Sequence, residues 1–345
     1  MKFVINGRFY NQSMTGVQRY ATEIVAHLDL ICGNLNIEIA VPIGTKIPSF
    51  QNIKVVILGK HEGLVWEQID FSRYVKKQNA VSLNLCNSAP LFGKKIVCIH
   101  DVKIKAHPEF FSWKFRKWYS ILFRNITKRA IAVITVSEFS KDEIIKYYHC
   151  DASKINVIYN AWQHYANIPT SLEAVKKFRL EKGKYIFALG SLEPNKNLKW
   201  IFEVAKRNPS EKFAIGGGIN TKIFSKRHLS IPSNVVLLGY LQDTEAKSLM
   251  ENCKYFVFPS FYEGFGIPPM EAMVAGAENI IVSDIPVMHE IFKNSVIYID
   301  PYQYDYLIKQ NISHKSDFQD TLAMFSWEQS AEKMYSLLHK VSNMG

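Results

Sequence analysis

The chain opens with Lys2-Phe-Val-Ile-Asn6, continues through Val17, Tyr20, Ala21, Ile24, Val25 and Leu28, and reaches Ile37-Glu-Ile-Ala-Val41. The first and last segments are β-branched runs of strand length, and the residues between them recur at i, i+3, i+4 and i+7, one face of an amphipathic helix. Working outward, Ile53 to Leu58, Val81 to Leu85, Ile96 to Ile99 and Ile131 to Val136 also read as strands. The alternation restarts after the polar stretch Asn167 to Ser171, with strands at Tyr185 to Leu189, Phe213 to Gly216, Val235 to Leu238, Tyr255 to Phe258 and Ile280 to Val282. Ser140-x-x-Glu143 reads as a capping box, and Ser326-x-x-Gln329 caps a last helix whose Trp327, Ala331, Met334 and Leu338 share one face. Strands alternating with helices predict an α/β fold of two Rossmann-like, doubly wound parallel-sheet domains facing each other across a cleft. Ligands of such sheets bind beyond the carboxyl ends of the strands, so the loops after strands are where chemistry is sought.

Composition agrees. With 345 residues, 48% of them hydrophobic and 21% charged, the chain is neither disordered nor fibrous and is too long for a single core. We expect one Rossmann-like domain over residues 1–165, a second over 166–325, and a closing helix over 326–345 that packs back on the first domain. No apolar run is long enough to span a bilayer, and Met1 to Asn6 reads as a strand, not a signal peptide. Five scattered cysteines without a C-x-x-C pair argue against a disulfide framework or a zinc ribbon and for a reducing compartment.

The formal net charge of +11 is unevenly divided. Residues 1–170 hold 22 basic and 12 acidic side chains, a net +10; the remainder holds 20 and 19, a net +1. An excess of this kind faces an anionic partner or serves solubility. Part of it lies between Phe110 and Ala130, where Phe115, Tyr119, Leu122 and Ile126 form one helical stripe and Lys114, Lys117, Arg124 and Lys128 the opposite face. Such a helix either buries its stripe in the core or presents a basic amphipathic surface to a membrane or acceptor.

Three loops after strands carry candidate chemistry. In Asn11 to Gln18, Gly16 opens the first helix, where backbone N–H groups can approach a phosphate; the pattern is not G-x-G-x-x-G. His100-Asp101 follows a strand of the first domain. The densest constellation is Pro259-Ser-Phe-Tyr-Glu263-Gly-Phe-Gly-Ile-Pro-Pro-Met-Glu271. It places two carboxylates near a helix N-terminus, able to accept hydrogen bonds from sugar or ribose hydroxyls, with Gly264, Phe265, Gly266 and Ile267 offering backbone. The alternative for both carboxylates is simple complementation of the helix dipole.

Glu263 to Glu271 resembles the E-x7-E motif of glycosyltransferase family 4, retaining enzymes of the GT-B fold. Thr15-Gly16, His100-Asp101, Thr135 to Ser140, Val157 to Asn160, Gly190 to Asn197, Gly239-Tyr240 and Ser283 to Val287 resemble further family segments in the family's order. The resemblance implies transfer of a sugar from a nucleotide diphosphate sugar, with no cofactor and no obligatory metal. It puts Glu271 on the ribose, Glu263 by the donor hexose, Lys196 and the Gly16 loop on the diphosphate, and Tyr240 near the base. His100 falls near the reacting sugar, and Ser191 and Asn195 in the donor loop. The family often has Arg at a position matching Ser191 or Asn195; this chain has neither, so one cation fewer faces the diphosphate, with Lys199 or Arg19 as substitutes.

The reading expected from these residues is a bacterial polysaccharide glycosyltransferase. Its donor is expected to be GDP-mannose, with dTDP-rhamnose or a UDP-hexose as alternatives, and its product O-antigen or capsule. The acceptor is a glycan or a polyprenyl-diphosphate-linked glycan. The protein is expected to be cytoplasmic and peripheral on the anionic inner face of the cytoplasmic membrane, with Lys114, Lys117, Arg124 and Lys128 toward the lipid and no nucleic acid as partner. A degenerate, non-catalytic glycan- or partner-binding module and a sugar-nucleotide epimerase are the rival classes.

Overall fold

β1 (Lys2–Asn6) and β2 (Asn36–Val41) pair in parallel, Lys2 opposite Asn36 and Asn6 opposite Ala40, with the Gly16–Ile31 helix as their crossover. The computed structural model describes residues 1–190, 193–218, 230–306, 308 and 318–344. β3 (Lys54–Ile57), β4 (Val81–Asn84), β5 (Lys95–Cys98), β6 (Ala132–Thr135) and β7 (Ile155–Val157) complete an all-parallel sheet of order β3-β2-β1-β4-β5-β6-β7. A second all-parallel sheet has the order β10-β9-β8-β11-β12-β13. Its strands are β8 (Tyr185–Leu189), β9 (Lys212–Gly216), β10 (Val235–Gly239), β11 (Tyr255–Phe258), β12 (Ile280–Ser283) and β13 (Ile297–Ile299).

Each sheet reverses direction once, between β1 and β4 in the first and between β8 and β11 in the second. At such a switch point the crossovers leave on opposite faces and open a crevice at the carboxyl ends of the two strands. The first sheet buries Val97, Ile99 and Val133 against Leu122, Phe123 and Ile126 of one covering helix. The second buries Ile186, Phe213 and Tyr255 against Trp200, Ile201 and Val204 of another. Each such buried apolar side chain contributes about 1.5–3 kcal/mol to holding the layers together.

The chain divides into residues 1–160 with the segment from Phe325 onward, and residues 161–324. The first junction thus precedes residue 165, because Trp162 donates its indole N–H to Leu322 O at 2.8 Å and Tyr165, 2% exposed, sets its hydroxyl 3.7 Å from Met250 Sδ. The Trp327–Ser342 helix completes the first unit: its Ser326 Oγ caps Gln329 N, Trp327 lies 6.0 Å from the Tyr20 ring, and Ser330 Oγ donates to Tyr159 O.

Three local expectations need correction. The helix after β6 is capped by Ser137, whose Oγ accepts from Ser140 N at 3.0 Å, so Ser140 lies inside Glu138–Tyr148 and spends its hydroxyl on His100 O. Ser137 has the extended backbone (φ −159°) that a cap requires. β7 and β13 were not expected, being three residues each and too short to show a period of two. The basic helix spans Trp113–Arg129, and its buried stripe begins at Leu122, with Tyr119 half-buried against it; Trp113, Phe115 and Ile121 are 66%, 42% and 51% exposed.

Candidate active site

The loops that leave β8 and β11 meet at the second sheet's switch point. After β8 the chain makes a short 3-10 turn, Pro194–Lys196, and Asn197 takes a left-handed conformation (φ +53°). The Asn197 side chain accepts from Trp200 N at 3.3 Å to start the next helix and donates to Pro301 O at 2.8 Å, so the turn is tied at its exit. Asn195, 3% exposed, fastens it to the neighbouring loop: its carbonyl accepts from Phe261 N at 2.8 Å and its side-chain amide donates to Tyr262 O at 3.4 Å.

This stitching places the Lys196 ammonium 2.6 Å from Glu263 Oε1 and 4.7 Å from the centre of the Phe258 ring. The two charged side chains are 19% and 14% exposed, so the pair sits in a recess and not on an open surface. Beyond Glu263, Gly266 caps the Ile267–Ala275 helix with φ +105° and no side-chain cap; a Cβ there would lie 3.1 Å from Met288 Cε. Pro268 and Pro269 occupy the first turn and bring no N–H, so the anion-attracting end of this helix rests on Ile267 and the residues before it. Glu271, one turn in and 13% exposed, accepts a hydrogen bond at 3.1 Å from His164 Nε2. Tyr240 follows β10 and is 68% exposed, beyond Gly239 at φ +74°.

In the first unit the Gly16–Ile31 helix has no side-chain cap, because the Thr15 hydroxyl is turned to Gln18 Oε1; its first-turn amides are therefore available to an anion. His100 is 5% exposed. Its Nε2 donates to Leu85 O at 2.8 Å, its ring meets Tyr20 edge-on at 5.0 Å, and burial pushes its pKa below the ordinary value, so the imidazole is neutral. Asp101 Oδ1 accepts from Lys103 N at 3.0 Å, an ordinary turn cap.

The model of group 1 glycosyl transferases matches residues 170–318, and that of glycosyltransferase family 4 matches residues 82–162. The chain belongs to the family 4 type of glycosyltransferase. The O-antigen chain mannosyltransferase RfbU of Salmonella typhimurium is 33% identical over 220 residues, 62% of this chain and 59% of that protein. The O-antigen chain mannosyltransferase B of Escherichia coli is 25% identical over 225 residues, 61% and 58%. The chain thus spans about three fifths of these curated relatives. Anabaena HepE, solved with UDP-glucose, shares 15% identity and superposes with a TM-score of 0.71 over all of both chains, which identifies the fold as GT-B.

In this glycosyltransferase the structure brings together Lys196, Asn195 and Glu263, with Gly264 to Ile267 and Glu271 following on the same loop and helix. Gly16 and His100 belong to the other unit, and Ser191 lies outside the described residues. Lys114, Lys117, Arg124 and Lys128 all lie exposed along one helix. Sequence reasoning missed two groups. One is His164, in a short helix of four residues that no periodicity could reveal. The other lies at the first sheet's switch point, where the wholly buried Glu67 accepts from Asn6 Nδ2 at 2.9 Å and Ser88 Oγ at 2.7 Å, with Arg8 Nη2 at 3.4 Å. Glu67 starts a π-helical segment, Glu67–Phe71, a local irregularity without a sequence signature.

Proposed function

We propose that this glycosyltransferase is a retaining hexosyltransferase that moves mannose from GDP-mannose to a glycan or a polyprenyl-diphosphate-linked acceptor in O-antigen or capsule synthesis. The observation that carries the reading is the Lys196–Glu263 pair at the β8–β11 switch point. The two O-antigen mannosyltransferases support the choice of sugar.

In this reading Lys196 exchanges Glu263 for the donor diphosphate. Breaking the bond from the anomeric carbon to phosphate builds negative charge on the leaving group, and an ammonium already fixed there stabilises the transition state more than the ground state. The amides at Gly16 add positive potential, Glu263 turns to the hexose, Glu271 takes ribose hydroxyls and Tyr240 meets the base. His100, neutral and held by Leu85, is a positioning group beside the sugar. The leaving phosphate accepts the acceptor's proton, so no enzyme nucleophile is needed. With Asp-x-Asp missing from the sequence, protein cations do the neutralising.

The same reading places the first unit on the anionic inner face of the cytoplasmic membrane. Among the described residues no helix is long and apolar enough to cross a membrane. Exposed Trp113, Phe115 and Ile121 lie on one helix with Lys114, Lys117, Arg124 and Lys128, apolar anchors beside cations as an interfacial helix requires.

The test is a transfer assay with a lipid-linked acceptor and GDP-mannose, dTDP-rhamnose and UDP-glucose in parallel, read by mass spectrometry, with the anomeric configuration by NMR. An α-mannoside from GDP-mannose supports the reading. Transfer from one of the other donors replaces the sugar, and neither transfer nor donor hydrolysis from any of them leaves the binding-module class.

A further inference from the structure

His164 lies outside every motif that marks the donor site, yet its imidazole touches one of the site's two carboxylates. Its Nε2 is 3.1 Å from Glu271 Oε1, with the imidazole 3% and the carboxylate 13% exposed. A carboxylate only accepts, so His164 donates from Nε2, whether as the Nε2–H tautomer or as the imidazolium. Among the described residues, no hydrogen bond to Glu271 Oε2 is found and no Lys or Arg lies within ion-pair distance of the group. Glu271 therefore has one oxygen committed and one directed elsewhere. Glu263, by contrast, faces the ammonium of Lys196.

The segment that carries His164 is held from several sides. It is the fourth residue of the second unit, in the Gln163–Ala166 helix. Just before it, Trp162 is tied to Leu322 O. Just after it, the Lys247 ammonium, 7% exposed, donates to the carbonyls of Tyr165, Ala166 and Ile168 at 2.9, 2.7 and 2.8 Å. These three carbonyls lie at and beyond the C-terminal end of the short helix, where no further turn supplies donors, and a buried lysine supplies them instead. So many fixed contacts around a four-residue helix leave the imidazole little freedom to turn away.

We propose that His164 is a positioning residue for donor binding: it holds Glu271 Oε1 so that Oε2 is aimed at a ribose hydroxyl of the nucleotide. This rests on the reading that Glu271 binds the ribose. A glutamate free to rotate must be ordered on binding, whereas one already fixed is not, so the gain is in donor affinity and not in the chemical step.

The experiment measures dissociation constants of GDP, with UDP in parallel so that the wrong base is not read as failure, for wild type, His164→Phe, His164→Gln, Glu271→Ala and His164→Phe/Glu271→Ala. Expected are about tenfold weaker binding in His164→Phe and recovery of most of it in His164→Gln, whose amide N–H still donates. No further loss is expected when His164→Phe is added to Glu271→Ala, the non-additivity of two groups acting as one. In transfer assays KM for the donor rises in His164→Phe while kcat stays within about threefold. Wild type should also prefer GDP to its 2′-deoxy or 3′-deoxy analogue, a preference that shrinks in His164→Phe; a residue that only packs would leave that ratio alone. Unchanged affinity in His164→Phe beside weakened Glu271→Ala, or additive losses, overturns the role of His164 and leaves the ribose reading intact. Unchanged affinity in Glu271→Ala overturns both. If His164→Phe does not fold, His164→Gln against His164→Ala in the deoxy-nucleotide comparison decides the matter on the same terms.

Discussion

Lys196 Nζ and Glu263 Oε1 lie 2.6 Å apart although 67 residues separate them in the chain. The pair exists because two loops leave neighbouring strands, β8 and β11, that are not consecutive in sequence. It means that the cation proposed to bind diphosphate already has an anion, and that donor binding is an exchange of partners.

Replacing Lys196 with Ala is therefore expected to lower kcat at least about 100-fold, the size of a lost transition-state contact. The fold should survive: the pair is mostly buried, so Glu263 loses its partner at a cost, but both side chains still reach solvent and the loss stays below the ~3–5 kcal/mol of a fully buried pair. Glu271→Ala is expected to lose kcat/KM for the donor to a similar extent, with the loss carried mainly by KM because the contact is to the ribose. Near-normal turnover in Lys196→Ala, with an unchanged melting temperature, would remove that residue from the chemistry.

Gly266 has φ +105°, and its missing Cβ leaves the room that Met288 fills. Gly266→Ala should cost about 1–3 kcal/mol from backbone strain alone, and more if Met288 cannot yield. Urea unfolding measures this; a loss below about 0.5 kcal/mol would mean that the loop relaxes freely. Activity should fall with it, since the helix carrying Glu271 starts there.

Lys95 is 1% exposed, donates to Pro90 O, Leu91 O and Asn125 Oδ1, and has its pKa pushed down to about 8 by burial first and by nearby Arg129 second. Its native pKa lies below the ordinary 10.5, so between these values the unfolded chain holds more protons. The Lys95 contribution to stability therefore rises with pH from about 8 to about 10.5. Buried tyrosines and cysteines, whose pKa values are raised, pull the other way above pH 9. The measurement is thus the difference in pH slope between wild type and Lys95→Met: a flatter or more negative slope in the mutant is expected, and equal slopes would contradict it.

Reversing Lys114, Lys117, Arg124 and Lys128 to Glu should release the protein from vesicles rich in anionic lipid, and Trp113→Ala should weaken binding at constant charge. Co-sedimentation at low and high salt separates the two contributions, because only the first is screened. Binding that ignores both changes would place the contact elsewhere.

Much of the fold could be read from the chain because long β-branched runs and a 3.6-residue period are local properties. Lys2 to Asn6 and Tyr255 to Phe258 form strands with the bounds their composition suggests. Strand order could not be read: that β8 lies beside β11 depends on helices choosing faces of a sheet, a tertiary event. The second-unit site was partly legible because Glu263, the glycines and Glu271 lie within one short segment, and Lys196 directly follows a strand. His164 and the Arg8–Glu67 pair were not, since each meets its partner only through folding over many residues. The basic helix shows a third case, in which a periodic stripe correctly identified the core face from Leu122 onward but the pattern said nothing of where burial stops.

The indole of Trp162 bonded to Leu322 O closes residues 161–324 into a loop with its ends fastened together, inserted between two stretches that form one sheet unit. During synthesis the inserted segment is complete before its host. The first unit must wait, with the Tyr20 face of its first helix uncovered, until Trp327 emerges and Ser330 reaches Tyr159 across 171 residues. On the ribosome the sheet of the first unit emerges first, but its packing is completed only after the whole inserted segment and the closing helix have followed, so the half that begins the chain depends on the residues made last.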